Sequence, residues 1–334
     1  MQYFKLSFIV TAICLVLAFL WAGPYGVFIA LILGVLEISL SFDNAVVNAS
    51  VLKKMDEVWQ RYFLTWGILI AVFGMRLLFP IVIVAAATGL SFIGVTDMAL
   101  NDTAAYAEHL EASHIQIAAF GGMFLLMVFF SFMFDTEKDV HWRDIEEKLS
   151  SWGKLESIEV ILALGLLLML QGWLPEADRL EALVAGVFGV VLYVVVDSLA
   201  ALFEDEDAGK AASNSVKKAG MMSFLYLEVL DASFSFDGVI GAFAITQDVV
   251  IIMLGLAIGA MFVRSLTVML VRQGTLDEYI FLEHGAHYAI GVLAAIMLIS
   301  MRIHVPEVVT GLAGAMLIAY SVYSSIQYNK SMSK

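Results

Sequence analysis

Glu37-Ile-Ser-Leu-Ser-Phe-Asp43-Asn44-Ala-Val-Val and Asp231-Ala-Ser-Phe-Ser-Phe-Asp237-Gly238-Val-Ile are two copies of one acidic, serine-rich phrase. Each lies in an apolar run long enough to cross a bilayer, which takes about 20 residues. Each places two carboxylates six residues apart with serines between them. A charge at membrane depth costs kilocalories unless it has a partner or a task. The duplicated acids therefore point to a site or pathway for a cation.

The composition around the phrases agrees with membrane burial. Apolar residues make up 61% of the 334-residue chain and charged residues 15%, and the mean hydropathy is +0.90. Soluble domains average roughly 45 to 50% apolar and about 25% charged. The class expected is an all-α polytopic membrane protein. The formal charge of −14 is distributed over two aqueous sides and the membrane interior, so its sum says little about partners. The single cysteine, Cys14, forms no internal disulfide and builds no thiolate metal site by itself.

A window of bilayer length finds about ten spans, near residues 6–22, 25–50, 62–88, 115–134, 158–174, 181–203, 221–246, 249–271, 286–303 and 306–327. Trp21-Ala-Gly-Pro-Tyr-Gly reads as an interfacial turn between the first two. Cytoplasmic loops collect Lys and Arg, and placing both termini in the cytoplasm puts 14 of the 18 basic residues on that side. Only Arg179 and Arg302 fall outside, while Arg76 and Arg264 lie within spans. The two phrases then run in opposite directions, in spans two and seven. This predicts two five-helix halves, residues 1–175 and 176–334, as inverted-topology repeats with a site near the midplane. Gly67 to Arg76 and Gly255 to Arg264 repeat a second spacing, so each half carries an acidic helix followed by an arginine helix.

At about 100° per residue on an ideal helix, Glu37, Ser41, Asn44 and Asn48 share one face and Ser39 and Asp43 point elsewhere. Asp231, Ser235 and Glu228 share a side, away from Ser233 and Asp237. Either the two acids of each copy face different neighbours, or the helix unwinds near Ser-Phe-Asp so that carboxylates and freed carbonyls converge. We expect the unwinding, which is tolerated at membrane depth around a protein-lined site. The expected ligands are Glu37, Asp43, Asn44, Glu228, Asp231 and Asp237, supported by Ser41, Ser235, Arg76, Arg264 and Asp197. They are oxygen donors without a thiolate, which suits manganese, magnesium or calcium. Structural pairing of the acids with Arg76 and Arg264 is the bland alternative. Asp197 reads as an outer ligand or a residue at the cytoplasmic mouth. Glu283, His284 and His287 read as an interfacial cap or access gate, although an HxxH spacing can also seat a metal. The sequence contains no nucleotide loop, nucleophile triad or basic nucleic-acid patch, so we expect no enzyme, no prosthetic group and no nucleic acid.

The paired phrases, Glu37-x-Ser-x-Ser-Phe-Asp43-Asn44-Ala and Glu228 to Asp237-Gly238-Val, resemble the hallmark of the TerC-type integral membrane proteins over about residues 25 to 300. The chain length resembles the larger branch of that family, long classed as a domain of unknown function. The family is named for tellurium resistance, belongs with the LysE-type transporter superfamily and includes bacterial manganese exporters. The resemblance implies a multi-pass protein of the bacterial inner membrane that exports manganese. Proton coupling is a further expectation from the buried acids. A stress protein without transport activity and an amino-acid exporter are the competing classes. Gly238 departs from the Asn of the first copy, which suggests one ligand fewer in the second half.

Overall fold

The computed structural model describes residues 2–70, 74, 78, 81, 82, 84, 85, 89–138, 140–205, 213–303 and 305–332, and the side chains of Ser235 and Asp237 lie outside what it describes. Every regular element among the described residues is helical. In chain order the α-helices are α1 (Lys5–Leu40), α2 (Phe42–Lys54), α3 (Glu57–Leu69), α4 (Phe92–Asn101), α5 (Thr103–Ala112), α6 (His114–Phe134), α7 (Asp144–Trp152), α8 (Ile158–Gln171), α9 (Glu176–Asp205), α10 (Ser213–Ile245), α11 (Val249–Arg272), α12 (Thr275–Glu278), α13 (Leu282–Ser300) and α14 (Glu307–Met332).

Six of the described helices, α1, α6, α9, α11, α13 and α14, are long and apolar enough to cross a membrane. This is a multi-pass membrane architecture. The ten expected spans map onto it unevenly, for local reasons. The first span and the start of the second run together as α1, broken at Ala22 and Gly23 (φ 63°, ψ −154°) ahead of Pro24. Only glycine adopts such a conformation without penalty, and proline removes a helical hydrogen bond. The turn expected at Trp21–Gly26 is thus a kink. Span 158–174 contracts to the 14-residue α8. Span 221–246 lies in α10, whose apolar run is interrupted by Glu228, Asp231 and Asp237. Much of span 62–88, Arg76 included, falls outside the described residues.

The chain forms two compact units, Met1–His114 with Ala200–Thr275, and Ile115–Leu199 with Leu276–Lys334. Each unit draws helices from both sequence halves.

In the first unit α1 packs closely against α11. Water supplies no hydrophobic drive between helices in lipid, so close approach of small residues has to supply the contact. Gly259 shows how close this is: a Cβ added there would lie 2.3 Å from the Glu37 Cβ. The Ser7 hydroxyl donates to the Met261 carbonyl at 2.7 Å and shares a 2.6 Å hydrogen bond with Ser265. This packing buries Glu37, which is 1% exposed. In the second unit α13 packs on α14, with Gly285 against Ser321. The Phe281 N–H is accepted by the Ser325 hydroxyl at 2.9 Å.

Candidate cation site

The first phrase spans a helix break. Helix α1 ends at Leu40, Ser41 has left the α region (φ −102°, ψ 20°), and α2 starts at Phe42. The break is shallow. Ser41 N–H still donates to the Glu37 carbonyl at 3.0 Å, and Ala45 N–H to the Ser41 carbonyl at 3.2 Å. Those two carbonyls are occupied. The bend places Asp43 in the first turn of α2, where an acid suits the helix N-terminus, and its Oδ1 accepts from the Asn44 N–H at 2.9 Å. The second phrase is not broken: α10 runs continuously through Asp231 and Asp237. Unwinding near Asp237 is therefore corrected to an unbroken helix.

The two phrases meet inside the first unit. Asn44 and Asn48, one turn apart on α2, both donate their side-chain N–H to the same oxygen, Asp231 Oδ1, at 2.9 and 2.7 Å. The Glu37 carboxylate accepts from the Ser41 hydroxyl through Oε1 at 3.1 Å, and its Oε2 would lie 2.6 Å from a Cβ added at Gly238. Position one of the first phrase thus touches position eight of the second, and position eight of the first bonds position one of the second. The contact is reciprocal, and as one residue number rises its partner's falls, which is an antiparallel register.

The reciprocity also explains Gly238. Where the acid is the shorter Asp231, the longer Asn44 reaches it; where the acid is the longer Glu37, a glycine makes room. The missing Asn of the second copy is a steric accommodation of Glu37.

Glu37, Ser41, Asp43, Asn44, Asn48, Glu228 and Asp231 are all buried. The Glu228 carboxylate has no hydrogen bond to either oxygen, and neither Asn44 Oδ1 nor Asn48 Oδ1 has one. Arg264 donates to the Phe63 carbonyl and lies over that ring, 5.2 Å from its centroid. It is within electrostatic reach of Glu228 and Asp231, in keeping with a counter-ion. Among the described residues, no three His, Cys, Asp or Glu side chains cluster closely enough to hold a metal by themselves. Asn48, which lies beyond the phrase and outside the ligand set expected from it, is the residue that sequence reasoning missed. Its signal was its place one turn beyond Asn44.

The remaining expectations resolve in the second unit. Asp197 is an exposed residue of α9. His284 Nδ1 bonds Glu146 Oε2 at 2.8 Å, and His287 stacks on Phe132 with centroids 3.9 Å apart while its Nδ1 meets the Glu283 carbonyl at 2.9 Å. The two imidazoles meet separate partners: His284 ties α13 to Glu146 of α7 in a buried strap, and His287 packs on Phe132 of α6. Burial pushes the Glu146 carboxyl up, but the His284 hydrogen bond and charge, the Trp142 N–H and the Lys138 charge outweigh it and hold the group below its ordinary value.

A depressed carboxylate stabilises the fold above its unfolded pKa, about 4.3, and that contribution is lost as pH falls through the folded value. The melting temperature of the detergent-solubilised protein is expected to drop as pH falls below about 4.5. In Glu146→Gln this part of the acid limb flattens. An unchanged acid limb in the variant would show that the strap does not carry the effect.

The family described as "Protein of unknown function (DUF475)" matches residues 42–332, a stretch that contains Asp43, Asn44, Asn48 and the whole second phrase. The chain is also similar to a Bacillus subtilis (strain 168) protein named "Uncharacterized membrane protein YceF", at 26% identity over 46% of this chain and 73% of that relative. No solved structure matches. With most of its length matched, this chain belongs to the DUF475 family of membrane proteins of unknown function.

Proposed function

We propose that the protein is a transporter of the bacterial inner membrane that exports a hard divalent cation, with manganese as its cargo. The observation that carries this reading is the buried meeting of the two phrases. Asp231 is clasped by Asn44 and Asn48, and the oxygens of Glu228 and both asparagines lack donors. Buried acceptors without donors are costly, and a cation is the partner that satisfies several at once. Oxygen donors without thiolates favour Mn²⁺, Mg²⁺ or Ca²⁺ over softer metals.

The resemblance to the TerC-type proteins supports manganese and outward transport. Manganese lies at the weak end of the divalent series, so an oxygen site that binds modestly also releases it. Exposure of the site to one side and then the other, by movement of one repeat against its mate, would complete the cycle. Counter-movement of protons would change vesicle lumen pH as metal moves.

Growth of cells lacking their own manganese exporters tests the proposal. The parent chain is expected to restore manganese tolerance, while Asp43→Asn and Asp237→Asn do not. Equal rescue by the variants would refute the site.

A further inference from the structure

Among the described residues the carboxylates do not gather in threes, and a hard divalent cation takes about six or more oxygens. Two are present on α2. A carboxylate oxygen only accepts, so an asparagine bonded to it must present its NH2. Once that nitrogen is committed to Asp231, the amide oxygen on the same planar group points away from the bond. In both Asn44 and Asn48 that oxygen is buried and meets no N–H or O–H. Asn48 is itself 3% exposed. A clamp serving only to hold α2 against α10 would need one donor and no stranded carbonyls.

We infer that Asn48 completes the cation site: it positions Asp231 through its nitrogen and supplies its amide oxygen, with that of Asn44, to a hard divalent cation in a mixed carboxylate and amide shell. The inference rests on the cation reading of the same site. It adds a ligand from outside the repeated phrase, and it explains why two asparagines a turn apart spend their donors on one oxygen.

The test uses the full chain purified in detergent, Mn²⁺ as probe, electron paramagnetic resonance to measure binding, and melting temperature to follow the fold. Asn48→Ala is expected to weaken Mn²⁺ binding by about tenfold or more, the size typical of lost ligand support. Asn48→Asp sets two buried carboxylates face to face and is expected to melt early in chelator. It should regain stability as Mn²⁺ is added and bind within about threefold of the parent, because the oxygen is retained.

A role in helix contact alone predicts the reverse order. Asn48→Asp would then stay the least stable variant at every Mn²⁺ concentration, and Asn48→Ala would bind as the parent does; either result overturns the inference. If Asn48→Ala does not fold, the Mn²⁺ response of Asn48→Asp decides. Parent protein that binds no Mn²⁺ refutes the cation reading itself, whereas parent binding with an unaffected Asn48→Ala refutes only the role given to Asn48.

Discussion

Asp231→Asn is expected to weaken Mn²⁺ binding by about a hundredfold, roughly 2.8 kcal/mol, while leaving the fold intact. The substitution separates charge from hydrogen bonding. Asp231 Oδ1 accepts from Asn44 and Asn48, and the carbonyl oxygen of an introduced asparagine accepts the same two donors. What disappears is the negative charge at the centre of the site. Asp231→Ala is the informative contrast, because it strands two buried amide donors and costs about 1–3 kcal/mol for each. Titration of Mn²⁺ into both variants, with melting temperatures alongside, checks the pair. If Asp231→Asn binds as the parent does, the carboxylate is structural.

The second large effect concerns Gly238. Gly238→Asn restores the residue that the first phrase carries and, on helix propensity alone, should stabilise α10 by a few tenths of a kcal/mol. The structure predicts the opposite sign. The new Cβ would lie 2.6 Å from Glu37 Oε2, and the rest of the asparagine would have to share the buried space that this carboxylate fills. Overpacking of this kind costs about 1–3 kcal/mol.

Glu37→Asp withdraws the carboxylate by one C–C bond, about 1.5 Å, and recreates at this end the Asp and Asn pairing seen between Asp231 and Asn44. The double variant is expected to recover most of the lost stability. That corresponds to a coupling of about 1 kcal/mol or more in a double-mutant cycle, within the range found for touching residues. Additive losses would mean that the two phrases do not meet as described.

These two predictions rest on features of unequal legibility in the sequence. Membrane burial and helicity follow from composition and from runs of bilayer length. The kink at Gly23 follows from Gly-Pro chemistry, and the break at Ser41 from a phrase rich in serine and acid. The unbroken second copy did not follow, because its residues are nearly the same. The neighbours of the two acids differ: Glu37 lies close to Gly259 and Gly238, whereas Asp231 accepts from two amides.

Pairing at long range is the common reason for what remained hidden. Asn48 is an ordinary polar residue until Asp231 is placed beside it. The bond between Glu146 and His284 joins positions 138 apart, with no local signal that pairs them. The two compact units mix helices from both halves for the same reason, since apolar periodicity says which face is buried and not against which helix. Gly238 also makes room for Glu37, and a steric role of that kind is visible only once Glu37 is beside it.

The most direct test of a shared cation site built by both phrases is Mn²⁺ flux into proteoliposomes containing the purified full chain. The account predicts saturable Mn²⁺ movement well above that of protein-free liposomes, and its loss in Asp231→Asn while the variant still melts cooperatively as a folded protein. Parent protein that moves Mn²⁺ no faster than bare lipid, or an Asp231→Asn variant as fast as the parent, would contradict it.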